Sequence, residues 1–238
     1  DRSPNWIDGS QTNYLLGLSY GNHSESKHYE FMGNFDFDIK ITDWLIFSSV
    51  NNLKYTNSSS NTYTDPRTES VSNVAGRLEE SRGEVTRRYT NQKFLFNKNF
   101  DKHYITGLLA YEFNDYHYKN IYAAGTGFVP GFQVLDVTAV PEAASGGISE
   151  WAMQSYFTQW KYTYDNKYMA EVSLRRDGRS NFGDNAKYGN FFSFSGGWNI
   201  NNEEWFNADW VNSLKLRASY GSVGNAPSSL YPQYDLYS

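Results

Sequence analysis

The chain has no cysteine, which excludes a disulfide framework and any thiolate-held metal. It has no apolar run of roughly 18 residues, so no helix of this sequence is long and apolar enough to cross a bilayer. It has no basic stripe, and its formal net charge is -5; nucleic acid is therefore not an expected partner. The start, DRSPNWIDGS, lacks the basic stretch and apolar run of a signal peptide. The expectation is that targeting was removed, or that the chain is an interior piece of something longer.

Catalytic and metal-binding signatures are missing too. His23, His28, His103 and His117 form no HExxH pair. Asp36, Asp38 and Asp43 lack the Gly and distal Glu of a calcium loop. GTGFVPG puts Pro130 at the third glycine of a phosphate loop, and no helix is expected after it. No GxSxG elbow occurs. Glu79, Glu80 and Glu84 lie among Arg77, Arg82, Arg87 and Arg88, which reads as a solvated mixed-charge stretch. No nucleophile, base and orienting group come together, so neither an enzyme nor a cofactor is expected.

What the chain does have is aromatics: 20 Tyr, 16 Phe and 7 Trp, 18% of 238 residues. They alternate with polar residues. Tyr14, Leu16, Leu18 and Tyr20 share one parity; Tyr29, Phe31, Phe35, Phe37 and Ile39 do the same, against Glu30, Asn34, Asp36 and Asp38. The pattern returns at Ile105–Phe113, Tyr156–Tyr164, Tyr168–Leu174, Phe192–Ile200 and Leu214–Tyr220. Period two means strands, about nine of them, mostly about ten residues long. That length suits a tilted membrane crossing of ~9–11 residues better than the usual globular strand of ~5–6. No domain boundary and no exact internal repeat is visible.

Connections alternate in length. Short ones are expected near Lys40–Asp43, Asn97–Lys102, Asp165–Lys167 and Asn201–Asn212. Long ones are expected near Asn22–Lys27, Asn57–Val85, Lys119–Ser149 and Asp177–Lys187. Short turns on one side and long loops on the other is the layout of an outer-membrane barrel. Aromatics crowd the short turns: Trp44, Phe100, Tyr104, Tyr164, Tyr168, Trp198 and Trp205. This predicts an aromatic girdle at one membrane interface.

Energetics assign the faces. Lys or Arg at mid-membrane costs ~2–4 kcal/mol each on the lipid side. Lys215 and Arg217 therefore face inward, with Leu214, Leu216, Ala218 and Tyr220 outward. Glu171 and Arg175, and Glu30, Asp36 and Asp38, turn inward by the same rule. Asp36, Asp38, Glu171, Arg175, Lys215 and Arg217 are the lumen-facing candidates for touching cargo, contacting a plug, or only lining water. A soluble β-sandwich shares this periodicity; strand length, turn asymmetry and aromatic placement favour the membrane.

The stretch Lys167–Phe206 resembles the barrel of SusC/RagA-type TonB-dependent outer-membrane transporters. Arg175, Asp177, Gly178, Ser180, Phe182 and Gly183 match a strand ending Arg-x-Asp-Gly-Ser-Ser-x-Phe-Gly. Ser193, Ser195, Gly197, Trp198, Glu203 and Glu204 match the returning strand and its turn. NSLKLRASYGSVGN carries a second motif, with Leu214, Lys215, Arg217, Tyr220, Gly221, Gly224 and Asn225. Phe94–Phe113 is similar to a strand, short turn and His-led strand. Departures are small: Arg179, Phe192 and Val223 stand where Ser, Pro and Thr are common.

The resemblance implies an all-β antiparallel transmembrane barrel, probably of 22 strands in the whole protein, of which this chain is an interior segment without the plug. It implies import of a glycan, oligosaccharide or peptide with a SusD-like surface lipoprotein, driven by TonB–ExbB–ExbD acting on a plug. Long loops would be extracellular and short turns periplasmic. Thr62–Arg82 and Ala123–Gly147 are the loops expected to meet the lipoprotein. Their aromatics Tyr63, Phe128 and Phe132 are expected to be exposed, for sugar stacking or lid contact. A porin, an adhesin and a secreted glycan-binding sandwich are the alternatives.

Overall fold

A computed structural model describes residues 14–182, 187–208 and 210–224, and only the backbone of Tyr14 and Glu69. It is all-β. A short helix α1 (Tyr14–Ser19) precedes β1 (His23–Thr42), β2 (Leu45–Thr64), β3 (Arg77–Phe100), β4 (His103–Thr126), β5 (Val140–Tyr164), β6 (Tyr168–Arg179), β7 (Tyr188–Asn199) and β8 (Lys215–Gly221). The eight described strands form one sheet in simple sequence order, β1 to β8. A sandwich would need two facing sheets; here β1 and β8 end a single sheet that is not closed.

Short turns join β1 to β2, β3 to β4 and β5 to β6. Asp101, Asp165 and Asn166 take positive φ in two of these turns. Tight hairpins need that conformation, and short polar side chains tolerate it. Longer connections follow β2, β4 and β6, but the expected alternation fails after β7: the connection expected to be short near Asn201–Asn212 runs from 200 to 214 and exceeds all three.

The register of β5 to β8 separates two faces. Across these strands Lys161, Glu171 and Ser195 align, as do Phe157, Arg175 and Phe191, and Gly197 with Arg217. On the other face Trp160, Val172, Phe194 and Tyr220 align, followed by Tyr164, Tyr168, Trp198 and Leu216. One face is polar and charged; the other is aromatic and aliphatic. Gly107 serves the second face, because a Cβ there would fall inside the Trp160 ring.

The chain divides into two compact units. The loop-bearing unit takes the described parts of Asp1–Met32, Lys54–Thr86 and His117–Glu150. Its core is small: Tyr63, Leu78 and Phe128 are buried, with Leu135 packed against them. Asp65 is fully buried beside them. It accepts hydrogen bonds from the Tyr63 hydroxyl (3.0 Å), from Arg67 Nε (2.7 Å) and Nη2 (3.0 Å), and from the Arg67 backbone N–H (3.0 Å). These bonds satisfy a carboxylate that would otherwise be too costly to bury, and Arg67 first of all holds it below its ordinary pKa. The Gly131 N–H donates to the Tyr63 hydroxyl at 3.2 Å, which ties the loop after β4 to the end of β2.

The turn-bearing unit takes the described parts of Gly33–Leu53, Arg87–Tyr116 and Trp151–Ser238. Among the described residues it has no comparable hydrophobic cluster. Its aromatics line the apolar face in pairs: Phe47 with Phe94 at 5.2 Å, Phe96 with Trp160 at 5.5 Å, Tyr111 with Tyr156 at 5.1 Å.

Three sequence expectations are corrected. Tyr14–Tyr20 is not a strand: its backbone closes helical bonds, Tyr20 N–H to Leu16 O at 3.1 Å and Asn22 N–H to Gly17 O at 3.0 Å. Seven residues are too few for periodicity to separate the two states, and Gly21, at φ 85°, ends the turn. There are eight described strands, not nine, and β1 to β5 run 20 to 25 residues. The long connections shrink accordingly. Asn22–Lys27 is mostly strand, and Asn57–Val85 and Lys119–Ser149 lose both flanks to strands. These flanks are polar on both faces and so show no alternation. They pair through side chains instead: Ser24 with Thr62 at 2.9 Å, Ser26 with Ser60 at 3.3 Å, Ser58 with the Gly83 carbonyl at 3.3 Å. Such cross-strand pairs stabilise sheets but look like loop composition. The motif residues Gly183 and Asn225 lie outside the described residues, as does the Tyr14 side chain.

Candidate functional site

The polar face of the turn-bearing unit gathers most of the candidate residues. β6 to β8 bring Glu171, Lys215 and Arg217 around one hollow of about 470 Å³ with Lys161 and Ser195. Glu171 accepts a hydrogen bond from the Gln159 amide, and Lys161 Nζ approaches it at 3.6 Å. Lys215 Nζ rests on Met169 Sδ at 3.0 Å. The hollow holds three cationic groups and one carboxylate, an excess of positive charge.

Arg175 belongs to a neighbouring network that sequence reasoning did not assemble. Its Nε donates to both Asp177 oxygens, at 2.7 and 2.9 Å, and its Nη2 donates to buried Ser155 Oγ at 3.1 Å. Nη2 also lies 3.5 Å from Glu112. Glu112 in turn accepts from the Tyr89 hydroxyl (3.1 Å) and the Asn91 amide (3.3 Å). Four strands, β3 to β6, are thus cross-linked by one arginine. Glu112 and Ser155 had a faint signal, since each sits at a polar place in an alternating run; only the register says that they meet Arg175.

Beyond this network Arg87 lies over the Tyr116 ring, Tyr116 stacks on Trp151 at 6.1 Å, and Arg179 lies over Trp151 at 5.3 Å. The Arg179 Nε is buried without a partner. Asp36 sits on β1, where Oδ1 accepts from the Asn51 N–H at 3.0 Å. Asp38 is exposed on the same strand. These two lie at the other end of the strand order from Arg217.

The motif residues explain themselves sterically. Arg175, Asp177, Phe182 and Gly224 line one hollow of about 370 Å³ with Phe191. A Cβ at Gly224 would collide with Phe191, and one at Gly178 with Tyr188. A Cβ at Gly221 would lie 2.9 Å from the Phe192 carbonyl oxygen. Gly178 and Gly224 leave room for a neighbouring ring, and Gly221 for the close approach of the adjacent strand's backbone. Ser180 ties the start of the next connection to β5: its Oγ accepts from the Ala152 N–H at 2.8 Å.

Of the turn aromatics expected to gather, Phe100, Tyr164, Tyr168, Trp198 and Trp205 lie in one chain of ring contacts; Trp44 instead contacts Phe96 at 5.2 Å, and Tyr104 is not in that chain. Phe100, His103, Tyr164, Tyr168, Trp198, Trp205 and Phe206 follow one another at ring separations of 5.0 to 6.5 Å. Glu203 anchors it, accepting from the Tyr168 hydroxyl (2.6 Å) and Trp198 Nε1 (2.9 Å). Tyr168 and then Trp198 hold the Glu203 carboxyl below its ordinary pKa.

Two loop aromatics are corrected. Tyr63 and Phe128 are buried, 1% and 7% exposed, while Phe132 is 56% exposed. Tyr63 is inside because its hydroxyl finds Asp65 and Gly131; Phe128 covers its ring at 5.6 Å. Among the described residues no group of three or more His, Cys, Asp or Glu is placed to hold a metal ion.

A scan against protein-family models matches none. Curated relatives do match. The chain is 28% identical over 208 residues to TonB-dependent receptor P39 of Formosa agariphila, covering 84% of this chain and 20% of that protein. It is 25% identical over 237 residues to TonB-dependent receptor SusC of Bacteroides thetaiotaomicron, covering 93% of this chain and 22% of that one. In fold it is similar to the RagAB peptide transporter, with a TM-score of 0.74 at 21% identity over 86% of this chain and 23% of that one. The chain is thus similar to SusC/RagA-type proteins, and its fold to the barrel portion of RagA. It spans about a fifth of the length of these curated relatives.

Proposed function

We propose that this segment is part of the wall of a TonB-dependent outer-membrane transporter that imports a glycan, oligosaccharide or peptide. Segregation of the faces of β5 to β8 carries the reading: Glu171, Arg175 and Arg217 fall on one face, and Trp160, Val172, Phe194 and Tyr220 on the other. The apolar face meets lipid. The polar face meets water, cargo or a plug in the lumen. The exposure of large apolar residues supports this, with Leu174 49%, Phe194 49% and Tyr220 73% exposed; a surface this apolar needs a covering phase. The loop ends are extracellular and the aromatic turns periplasmic. A SusD-like lipoprotein closes the extracellular end, and TonB–ExbB–ExbD acts through a plug contributed by the rest of the protein.

The test is uptake of labelled oligosaccharide and peptide pools by cells carrying the full-length protein, with and without TonB. Import that needs both the protein and TonB is expected. Import that continues without TonB overturns the energised reading and leaves a passive pore.

A further inference from the structure

The apolar face has one charged exception. Arg176 lies on it, aligned with Tyr156 on β5 and Asn190 on β7. Its guanidinium sits over the Tyr188 ring at 4.6 Å, and the Tyr188 hydroxyl accepts a hydrogen bond from the Gln154 amide at 2.6 Å. No carboxylate pairs with Arg176 among the described residues. Arg176 itself lines an open groove of about 350 Å³ together with Leu109, Tyr156, Thr158, Leu174 and Phe192, with Arg175 also on its wall. The groove is almost wholly apolar at its surface, and Asn190 also lines it.

Depth along the strand gives Arg176 a meaning. From Tyr168, in the aromatic chain at the turns, to Arg176 is eight residues of β6, about 26 Å at roughly 3.3 Å per residue. With the usual barrel tilt of about 40° this rises about 20 Å, close to the far edge of an apolar band about 25 Å tall. There the penalty for an arginine nearly vanishes. A cation on the wall of an apolar groove, at the depth of a headgroup, complements an anionic amphiphile.

We propose that this groove is a specific site for a phosphate-bearing membrane lipid. An acyl chain lies against Leu109, Tyr156, Leu174 and Phe192, and the headgroup phosphate pairs with Arg176, held in place by the Tyr188 ring. Arg176 donates hydrogen bonds to the phosphate oxygens, which suits its planar fork. Asn190 and the Gln154–Tyr188 pair supply neutral polar contacts at the same level. This rests on the apolar face being the lipid face.

The test uses the full-length protein in detergent, titrated with dimyristoylphosphatidylglycerol and followed by native mass spectrometry. Dimyristoylglycerol and glycerol phosphate are the comparison probes. Expected are retention of the phospholipid at least about fivefold over dimyristoylglycerol, loss of that preference in Arg176→Ala, and partial retention in Arg176→Lys. Leu174→Asn should weaken binding while leaving the charge in place. Equal phospholipid retention by Arg176→Ala overturns the proposal. Competition by glycerol phosphate as strong as by the intact lipid overturns it too, and makes the site one for free anions. A nitroxide on Val172→Cys, the chain having no other cysteine, separates the two levels. If it is oxygen-accessible in bilayers while Arg176→Ala has no effect, the lipid face stands and the site falls. If it is accessible to aqueous nickel chelate, the face assignment itself falls.

Discussion

The two units of this chain solve the same problem with different solvents. The loop-bearing unit hides Tyr63, Leu78 and Phe128 from water in a core of its own and seals a buried carboxylate among donors. The turn-bearing unit hides nothing comparable. It spreads aromatics over one face and a polar network over the other, and on the proposed reading lipid does the work that a core does elsewhere. On that reading exposure has opposite meanings in the two units: Phe132, 56% exposed, is a surface residue of a loop, whereas Phe194, 49% exposed, belongs to the face proposed to meet hydrocarbon.

The largest expected contrast comes from truncating one aromatic in each unit. Tyr63→Ala should cost about 3–5 kcal/mol locally, as core aromatic truncations do. It is read as lost hydrogen-exchange protection in the loops at 65–76 and 127–139. Tyr63→Phe keeps the ring but loses two bonds, the one from the Gly131 N–H at 3.2 Å and the one to Asp65 at 3.0 Å, so it should deprotect the Gly131 amide and loosen the Asp65 site at a smaller cost than Tyr63→Ala. Tyr156→Ala, on the apolar face, should leave those amides untouched; if it does not, the two units are not separately stabilised.

Charge on the two faces is next. Val172→Lys should destabilise the folded wall by ~2–4 kcal/mol in bilayers, while Ser173→Lys, one residue along, should do almost nothing. Equal effects in a refolding titration would erase the difference between faces. Gly107→Val should follow at about 1–3 kcal/mol, because the Trp160 ring already occupies the space and overpacking displaces it; Trp160→Ala in the same chain should relieve much of the loss.

The smallest effect is a pH dependence confined to the loop-bearing unit. Arg67 depresses the Asp65 pKa, so the folded loop binds a proton less readily than the unfolded one. Protection should be full above the ordinary aspartate range near ~3.9 and decline as pH falls through the lower folded value. Asp65→Asn should abolish that decline. Acid lability that persists in the variant would assign it elsewhere.

These contrasts also mark what the residues alone reveal. The faces of β6 to β8 are legible because polar and apolar residues alternate with few exceptions, so Glu171, Arg175 and Arg217 share one face, and Glu171, Lys215 and Arg217 line one hollow. The length of β2 to β5 is not, because Ser58, Ser60, Thr62 and their partners are polar on both faces and mimic a loop. Tyr63 and Phe128 look exposed for the same reason: nothing local says that Asp65 will satisfy a buried hydroxyl. The Arg175–Ser155–Glu112 network depends on register between strands far apart in sequence, which periodicity does not encode. The lone arginine at Arg176 was visible as a break in the apolar parity, yet its groove needed Leu109 from another hairpin.

The most direct test of the account is a nitroxide scan along β6, one cysteine at a time from Tyr168 to Gly178, in the full-length protein reconstituted in bilayers. Period-two accessibility is expected, with oxygen favoured at Ala170, Val172 and Leu174 and aqueous nickel chelate at Glu171, Ser173 and Arg175. Water accessibility on both faces, or no alternation, would contradict the claim that one face of this sheet is lipid-covered and the other is wet.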